Sequence, residues 1–188
     1  EVLDKALWED RQRKGSSHDF GKDVLPRLIK SKTRVFAYPY SGYWMDVGTL
    51  ASYWQAHMDL LAPSPHLKLY NRSWIIHTRT AERPPARFPA KGKVYASMIC
   101  DGCFIAEGAT VESSVLSPGV IVRSGAVVRE PIVLTDAEIR SGAVVERSVL
   151  DNQARVEEHA RVGWGVTDQN IRIALVGKGS VVPSGYVV

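Results

Sequence analysis

From residue 99 onward, aliphatic and turn-forming positions alternate on a fixed beat. An aliphatic residue, three turn-type residues and a small or branched apolar residue recur over 99–103, 105–109, 111–115, 116–120, 122–126 and 128–132, then over 139–143, 145–149, 150–154 and 156–160. A longer period runs above this one. Gly108, Gly125 and Gly142 stand 17 residues apart, each followed by Ala (Ala109, Ala126, Ala143) and two positions later by Val (Val111, Val128, Val145), with His159, Ala160 and Val162 at the next step. Roughly six residues per side and 17 to 18 per coil describe a three-sided prism of short parallel strands, each stacked on the coil below, with alternate side chains pointing inward. The corner sequences ESS, SPG, RSG and DNQ suit tight turns. The unit puts the last residues of 105–109, 111–115 and 128–132 inside. The expected fold is therefore mainly β.

The pattern breaks at 163–175, GWGVTDQNIRIAL, and resumes over 176–180 and 182–186, so the break reads as an excursion loop, with Trp164 either a lid over the prism end or a contact to a partner domain. Upstream the periodicity is different. Val2, Leu3, Ala6 and Leu7 have helical spacing, which predicts a helix over 2–13. After it come a turn, GSSHDFGKDVLP, a strand, RVFAYPY, and a second helix from about Thr49 to Leu61. Two helices with one strand cannot bury themselves, and the first residue is Glu with no capping residue before it. The expectation is a piece of a longer protein, with domains at 1–62, 63–93 and 94–188.

Composition narrows the function. Lys and Arg (24) exceed Asp and Glu (20) by four, a modest surplus that suits small anionic molecules better than a nucleic-acid footprint. No apolar run reaches membrane-spanning length and the N-terminal residues are too charged for a signal, so a cytoplasmic protein is expected, without membrane or nucleic-acid partners. The surplus concentrates in 63–93, which holds Pro63, Pro65, Pro84, Pro85 and Pro89 and seven cations, Arg79, Arg83 and Arg87 among them, against the single acid Glu82. Such a segment is either a solvated linker or an anion site in which guanidinium forks match phosphate.

Cys100 and Cys103 form a lone CxxC. The repeat places Cys103 on an inward position and Cys100 on a corner, which predicts core packing over a shared metal. Asp46, within SGYWMDVGTL, is a hard oxygen ligand of the kind Mg²⁺ takes beside phosphates; it could equally cap the helix that begins near Thr49. His159 falls on a corner where other coils carry Gly. As a histidine on a hexapeptide prism it raises the alternative of an acyltransferase; a purely structural assembly module is a third reading.

Two long stretches change the weighing. SSHDFGKDVLPRLI followed by SGYWMDVGTLASYWQAHMDLL, and then YNRSWIIHTRTAERPPARF leading into the repeat, resemble the C-terminal part of the bacterial ADP-glucose pyrophosphorylase (glucose-1-phosphate adenylyltransferase) family. The resemblance implies the end of an α/β nucleotidyltransferase domain followed by a left-handed parallel β-helix. It implies ATP and glucose 1-phosphate as substrates, ADP-glucose and pyrophosphate as products, a homotetramer, and control of glycogen synthesis by anionic sugar-phosphate or phosphate effectors. Asp46 matches the second of two aspartates that hold Mg²⁺ in this family; no stretch here matches the first, the Gly-rich nucleotide loop or the lysine that grips the sugar phosphate. Met45 departs from the arginine often found there. The catalytic set is thus incomplete and the segment is expected to be inactive alone, with Arg87, and more weakly Arg83 and Arg79, as effector contacts.

Overall fold

The computed structural model describes residues 1–78, 82–89, 93–163 and 172–188. It comprises two compact units, Glu1–Gly42 and Tyr43–Val188.

In the first unit, α1 (Val2–Arg11) is followed by a π-helical turn, Phe20–Val24, that runs directly into α2 (Leu25–Lys30). The second half of the turn expected over 15–26 is therefore helical. Asp19 starts it by accepting from the Lys22 N–H (2.7 Å), and Pro26 sits in the first turn of α2, where its missing N–H costs nothing. Asp10, 3% exposed, is the hub of this unit: it accepts from the Ser16 hydroxyl (3.0 Å), faces Nδ1 of His18 (2.9 Å), and lies 3.7 Å from the Arg27 guanidinium. The hydrogen bond with His18, ahead of the other contacts, holds its carboxyl below the ordinary carboxylate range. RVFAYPY is not a strand. A strand needs a neighbour to pair with, none is available among the described residues of this unit, and Phe36 and Tyr38 lie open, 83% and 87% exposed.

The second unit opens with α3 (Leu50–Leu60) and continues into the prism. Three five-stranded parallel sheets form its sides. The first face stacks Lys93–Tyr95, Thr110–Glu112, Val127–Arg129, Val144–Glu146 and Arg161–Val162. The second stacks Met98–Ile99, Val115–Leu116, Ile132–Val133, Ser148–Leu150 and Ala174–Val176, and the third Phe104–Ile105, Ile121–Val122, Glu138–Ile139, Arg155–Val156 and Val181–Val182. The expected 17-residue period is the strand register: Thr110 pairs with Val127, and Val127 with Val144. At the excursion the step grows to 26, Arg155 pairing with Val181. Nine residues are therefore inserted without disturbing the stack. Trp164 lies outside the described residues.

Inside, Ile105, Val111, Leu116, Val122, Val128, Val133, Ile139, Val145, Leu150 and Val156 are at most 1% exposed, with Ala109, Ala126, Ala143 and Ala160 filling the corners. Cys103 is buried and Cys100 exposed, as the repeat predicts, and burial pushes both thiols up.

Ile105, Val111, Leu116 and Val122 begin successive sides, so the sides are six, five and six residues long. The short side is where the expected unit fails. Its inward corner position belongs to Ser114, Pro131 and Ser148, all buried, which turns Val115, Ile132 and Val149 outward. A side one residue short shifts the alternation by one, and alternation decides which face a side chain takes. The same corner is turned by Ala96, Ser113, Glu130 and Arg147, all with positive φ (47°, 47°, 56° and 36°), each such non-glycine residue costing about 1 kcal/mol or more.

The two buried serines separate cleanly. The Ser114 hydroxyl donates to the Glu112 carbonyl at 2.6 Å, whereas the Ser148 hydroxyl has no partner among the described residues. Ser114→Ala should therefore lose about 1 kcal/mol in denaturant unfolding, while Ser148→Ala should be neutral or gain up to about 1 kcal/mol. Equal losses at both would contradict this.

Candidate functional site

The loop before α3 is fastened to that helix at both ends. At one end the Tyr43 hydroxyl donates to Oδ2 of Asp59 (3.0 Å), a carboxylate also held by Nε2 of Gln55 (2.8 Å). At the other end Thr49 is the N-cap: its Oγ1 accepts from the Ser52 N–H (3.1 Å) and the Ser52 hydroxyl oxygen accepts from the Thr49 N–H (3.1 Å), a reciprocal capping box. The helix start is satisfied without Asp46. Of the two roles open to that residue, capping falls to Thr49, and Asp46 instead closes an Asx turn by accepting from the Gly48 N–H at 3.1 Å through Oδ1.

Asp46 is exposed, and among the described residues Oδ2 has no hydrogen bond and is left for another partner. Among the described residues no group of three or more His, Cys, Asp or Glu is placed to hold a metal ion. The carboxylate fits as a single oxygen ligand to Mg²⁺, which is commonly bound through one or two carboxylates together with substrate phosphates and water.

The three arginines of the connector have different fates. Arg79 lies outside the described residues. Arg83 forms a two-pronged pair with Asp136, Nη1 to Oδ1 at 2.7 Å and Nη2 to Oδ2 at 2.8 Å, and that hydrogen bonding raises the guanidinium pKa further. The side chain reaches Asp136 by lying across a column of corners: a methyl group on Gly102 would touch its Cδ, and one on Gly119 would strike both the guanidinium and the Asp136 carboxylate. Asp136 has φ 59° in the corner column that holds Gly119 and Gly102 one and two coils away, and this departure from the repeat is the signal in the sequence that marks the pair.

Around Arg83 the backbone of the connector is strapped to the prism edge. The Gly102 N–H donates to the Pro84 carbonyl (2.6 Å), the Arg87 N–H to the Cys103 carbonyl (2.9 Å) and the Ile105 N–H to the Arg87 carbonyl (3.0 Å), so Arg87 pairs in parallel with Phe104. Its guanidinium lies 5.7 Å from the centre of the Phe104 ring. The cleft there, about 360 Å³, is lined by Arg87, Phe88, Pro89, Phe104, Ala106 and Glu107. Arg87 has no ion pair among the described residues, so its fork is open to an anion and that of Arg83 is not.

His159 has φ 58° and lies with its ring over Gly142, exposed, without a side-chain hydrogen bond among the described residues. Among the described residues no base-and-orienter arrangement is built around it.

Comparison with known proteins bears on both parts of the chain. The family model described as "GlmU-like, C-terminal hexapeptide" matches residues 84–183, more than half of the chain. The chain belongs to this hexapeptide family. A second model, "Nucleotidyl transferase", matches residues 1–62. The hexapeptide-family chain is similar to glucose-1-phosphate adenylyltransferase of Geobacillus stearothermophilus, 46% identical over 113 residues, 60% of this chain and 29% of the relative. It is also similar to the enzyme of that name from Thermosipho africanus, 45% identical over 101 residues (54% and 24%), and to glucose-1-phosphate adenylyltransferase 1 of Vibrio cholerae, 43% over 128 residues (61% and 31%). The matched part thus spans a quarter to a third of the length of these curated relatives. No helix among the described residues is long and apolar enough to cross a membrane.

The strap has a direct test. Gly119→Ala, which adds a methyl group where the Arg83–Asp136 pair lies and at φ +78°, should displace the Arg83 side chain and speed amide exchange over 82–89 by roughly tenfold or more, while Ile139 and Val145 stay protected. Unchanged exchange over 82–89 would show that the pair does not hold the connector.

Proposed function

We propose that the chain is the C-terminal part of a glucose-1-phosphate adenylyltransferase, which joins ATP and glucose 1-phosphate to give ADP-glucose and pyrophosphate for glycogen synthesis in the cytoplasm. The observation that carries this reading is the pairing, in one chain, of a nucleotidyltransferase match over 1–62 with a hexapeptide match over 84–183, together with the similarity to relatives that bear this name.

On this reading Asp46 supplies one oxygen ligand to Mg²⁺, and the ion, when bound, neutralises charge on the transferring phosphates. The carboxylate is kept in place by the Gly48 N–H and by a loop fixed to α3 at Tyr43 and Thr49. One carboxylate does not build a nucleotidyl-transfer site, so these 188 residues alone are inactive and serve assembly and regulation. The prism supplies strand edges and flat faces for a homotetramer. The anionic effector, a sugar phosphate or another phosphate-bearing metabolite, binds at the connector: Arg87 presents an open fork beside the prism edge, Arg83 joins only by exchanging Asp136 for the anion, and Arg79 adds charge from the same segment.

Two substitutions in the full-length protein that contains this sequence test the two halves of the proposal. Asp46→Asn keeps the size and removes the charge; turnover should fall by roughly 100-fold or more with folding intact, and near-normal turnover at ordinary Mg²⁺ would sink the catalytic assignment. Arg87→Ala should abolish activation by sugar phosphates while leaving turnover without effector in place; unchanged activation would remove Arg87 from the effector site.

A further inference from the structure

Two neighbouring outward-facing residues of the prism's short side, Ile132 and Val149, do not meet solvent. Ile132 is 0% and Val149 4% exposed, and what covers them is α3. Leu50, Trp54 and Met58, spaced four apart on one stripe of the helix, pack on them together with Tyr53, Leu134 and Ile173. Trp54, 9% exposed, also donates its indole Nε1–H to the Glu130 carbonyl at 2.6 Å, at the corner turned by residues in the left-handed conformation. This bond is set by shape and direction together: the ring fills the stripe while the N–H finds a backbone acceptor.

The same helix is the frame of the Asp46 loop. The Tyr43 hydroxyl anchors the loop's start to Asp59, and the Thr49–Ser52 capping box anchors its end one turn before Trp54. We infer that Trp54 is a positioning residue through which the prism holds the Asp46 carboxylate in place. A contact between a sheet face and a helix thereby sets the geometry of a ligand that neither touches. The inference rests on the reading of Asp46 as a metal ligand. It adds to that reading a route by which a change in the prism reaches the loop: any shift of the Ile132–Val149 row or of the Glu130 corner moves α3, and α3 carries both ends of the loop.

The test uses Ile132→Ala, on the prism and remote from the loop in sequence, and Trp54→Phe, which keeps an aromatic ring and removes the N–H. Thr110→Ala, on another face, is the control. In the 188-residue chain, amide exchange over 46–52 should rise by roughly tenfold in both variants while the strands around Val128 and Val145 keep their protection. In the full-length protein, the MgCl₂ concentration for half-maximal turnover should rise several-fold in both, with turnover at saturating Mg²⁺ largely recovered, a split that a general loss of stability does not produce. Thr110→Ala should change neither quantity. Unchanged exchange or unchanged Mg²⁺ dependence in the two variants, or an equal effect of Thr110→Ala, would overturn the inference. Failure of the underlying reading looks different: there Asp46→Asn leaves turnover intact, while the exchange measurement still reports whether the prism holds the loop.

Discussion

Everything in the second unit depends on one constraint, that each coil must close, after 17 residues wherever no loop is inserted, so that its strands hydrogen-bond in register with the coil below. Parallel strands from successive coils stack about 4.8 Å apart and share one inward column of side chains. Only a residue of the right size at every seventeenth position keeps that column filled. Val111, Val128 and Val145, and Leu116 with Val133 and Leu150, do so on two of the inner columns, all without measurable exposure. Stability in such a stack is a sum over coils and their contacts, so no single residue carries it.

The same closure rule produces the feature that links the prism to the rest of the chain. Seventeen is one short of three sixes, and the missing residue is taken from one corner. Three consequences follow at that place: the turn is made by Ser113, Glu130 and Arg147 in left-handed conformations, serines and a proline replace alanine inside, and an apolar row is turned outward. An outward row of Ile132 and Val149 would be a liability on a bare sheet face. Here it is the seat of α3. Along the column that starts at Gly102, Asp136 departs from glycine and receives Arg83. Local departures from the repeat are thus where the prism meets other segments, and the regular positions are where it holds itself together.

How far the sequence revealed this differs by residue. The period, the strand register, the buried Cys103 with its exposed neighbour Cys100, and the start of a helix near Thr49 are legible, because each is decided by spacing over a few residues or by strict repetition; the cap itself, Thr49 and not Asp46, is not. Val115, Ile132 and Val149 read as inward because the pattern of apolar residues is the same whether a side has five residues or six; only the fold shows which way the pleat falls. RVFAYPY reads as a strand from its β-branched and aromatic content, yet pairing is a property of a partner that a single segment does not encode. The turn at 15–26 hides a π-helical start because Gly21 and Asp19 favour a turn by composition while Val24 is 1% exposed and draws the segment into a helix. At the site, Asp46 stood out by its neighbours. The roles of Trp54 and Asp136 depend on residues 76 and 53 positions away, and only the folded chain brings those together.

The outward row of the prism holds α3, and with it the Asp46 loop that is fastened to that helix. A double-mutant cycle between Trp54→Phe and Ile132→Ala, read as denaturant unfolding of the 188-residue chain, tests it most directly. A coupling energy of about 1 kcal/mol is expected between the two sites, in the range found for residues in contact. Additivity within about 0.3 kcal/mol would mean that helix and prism are independent, and would contradict it.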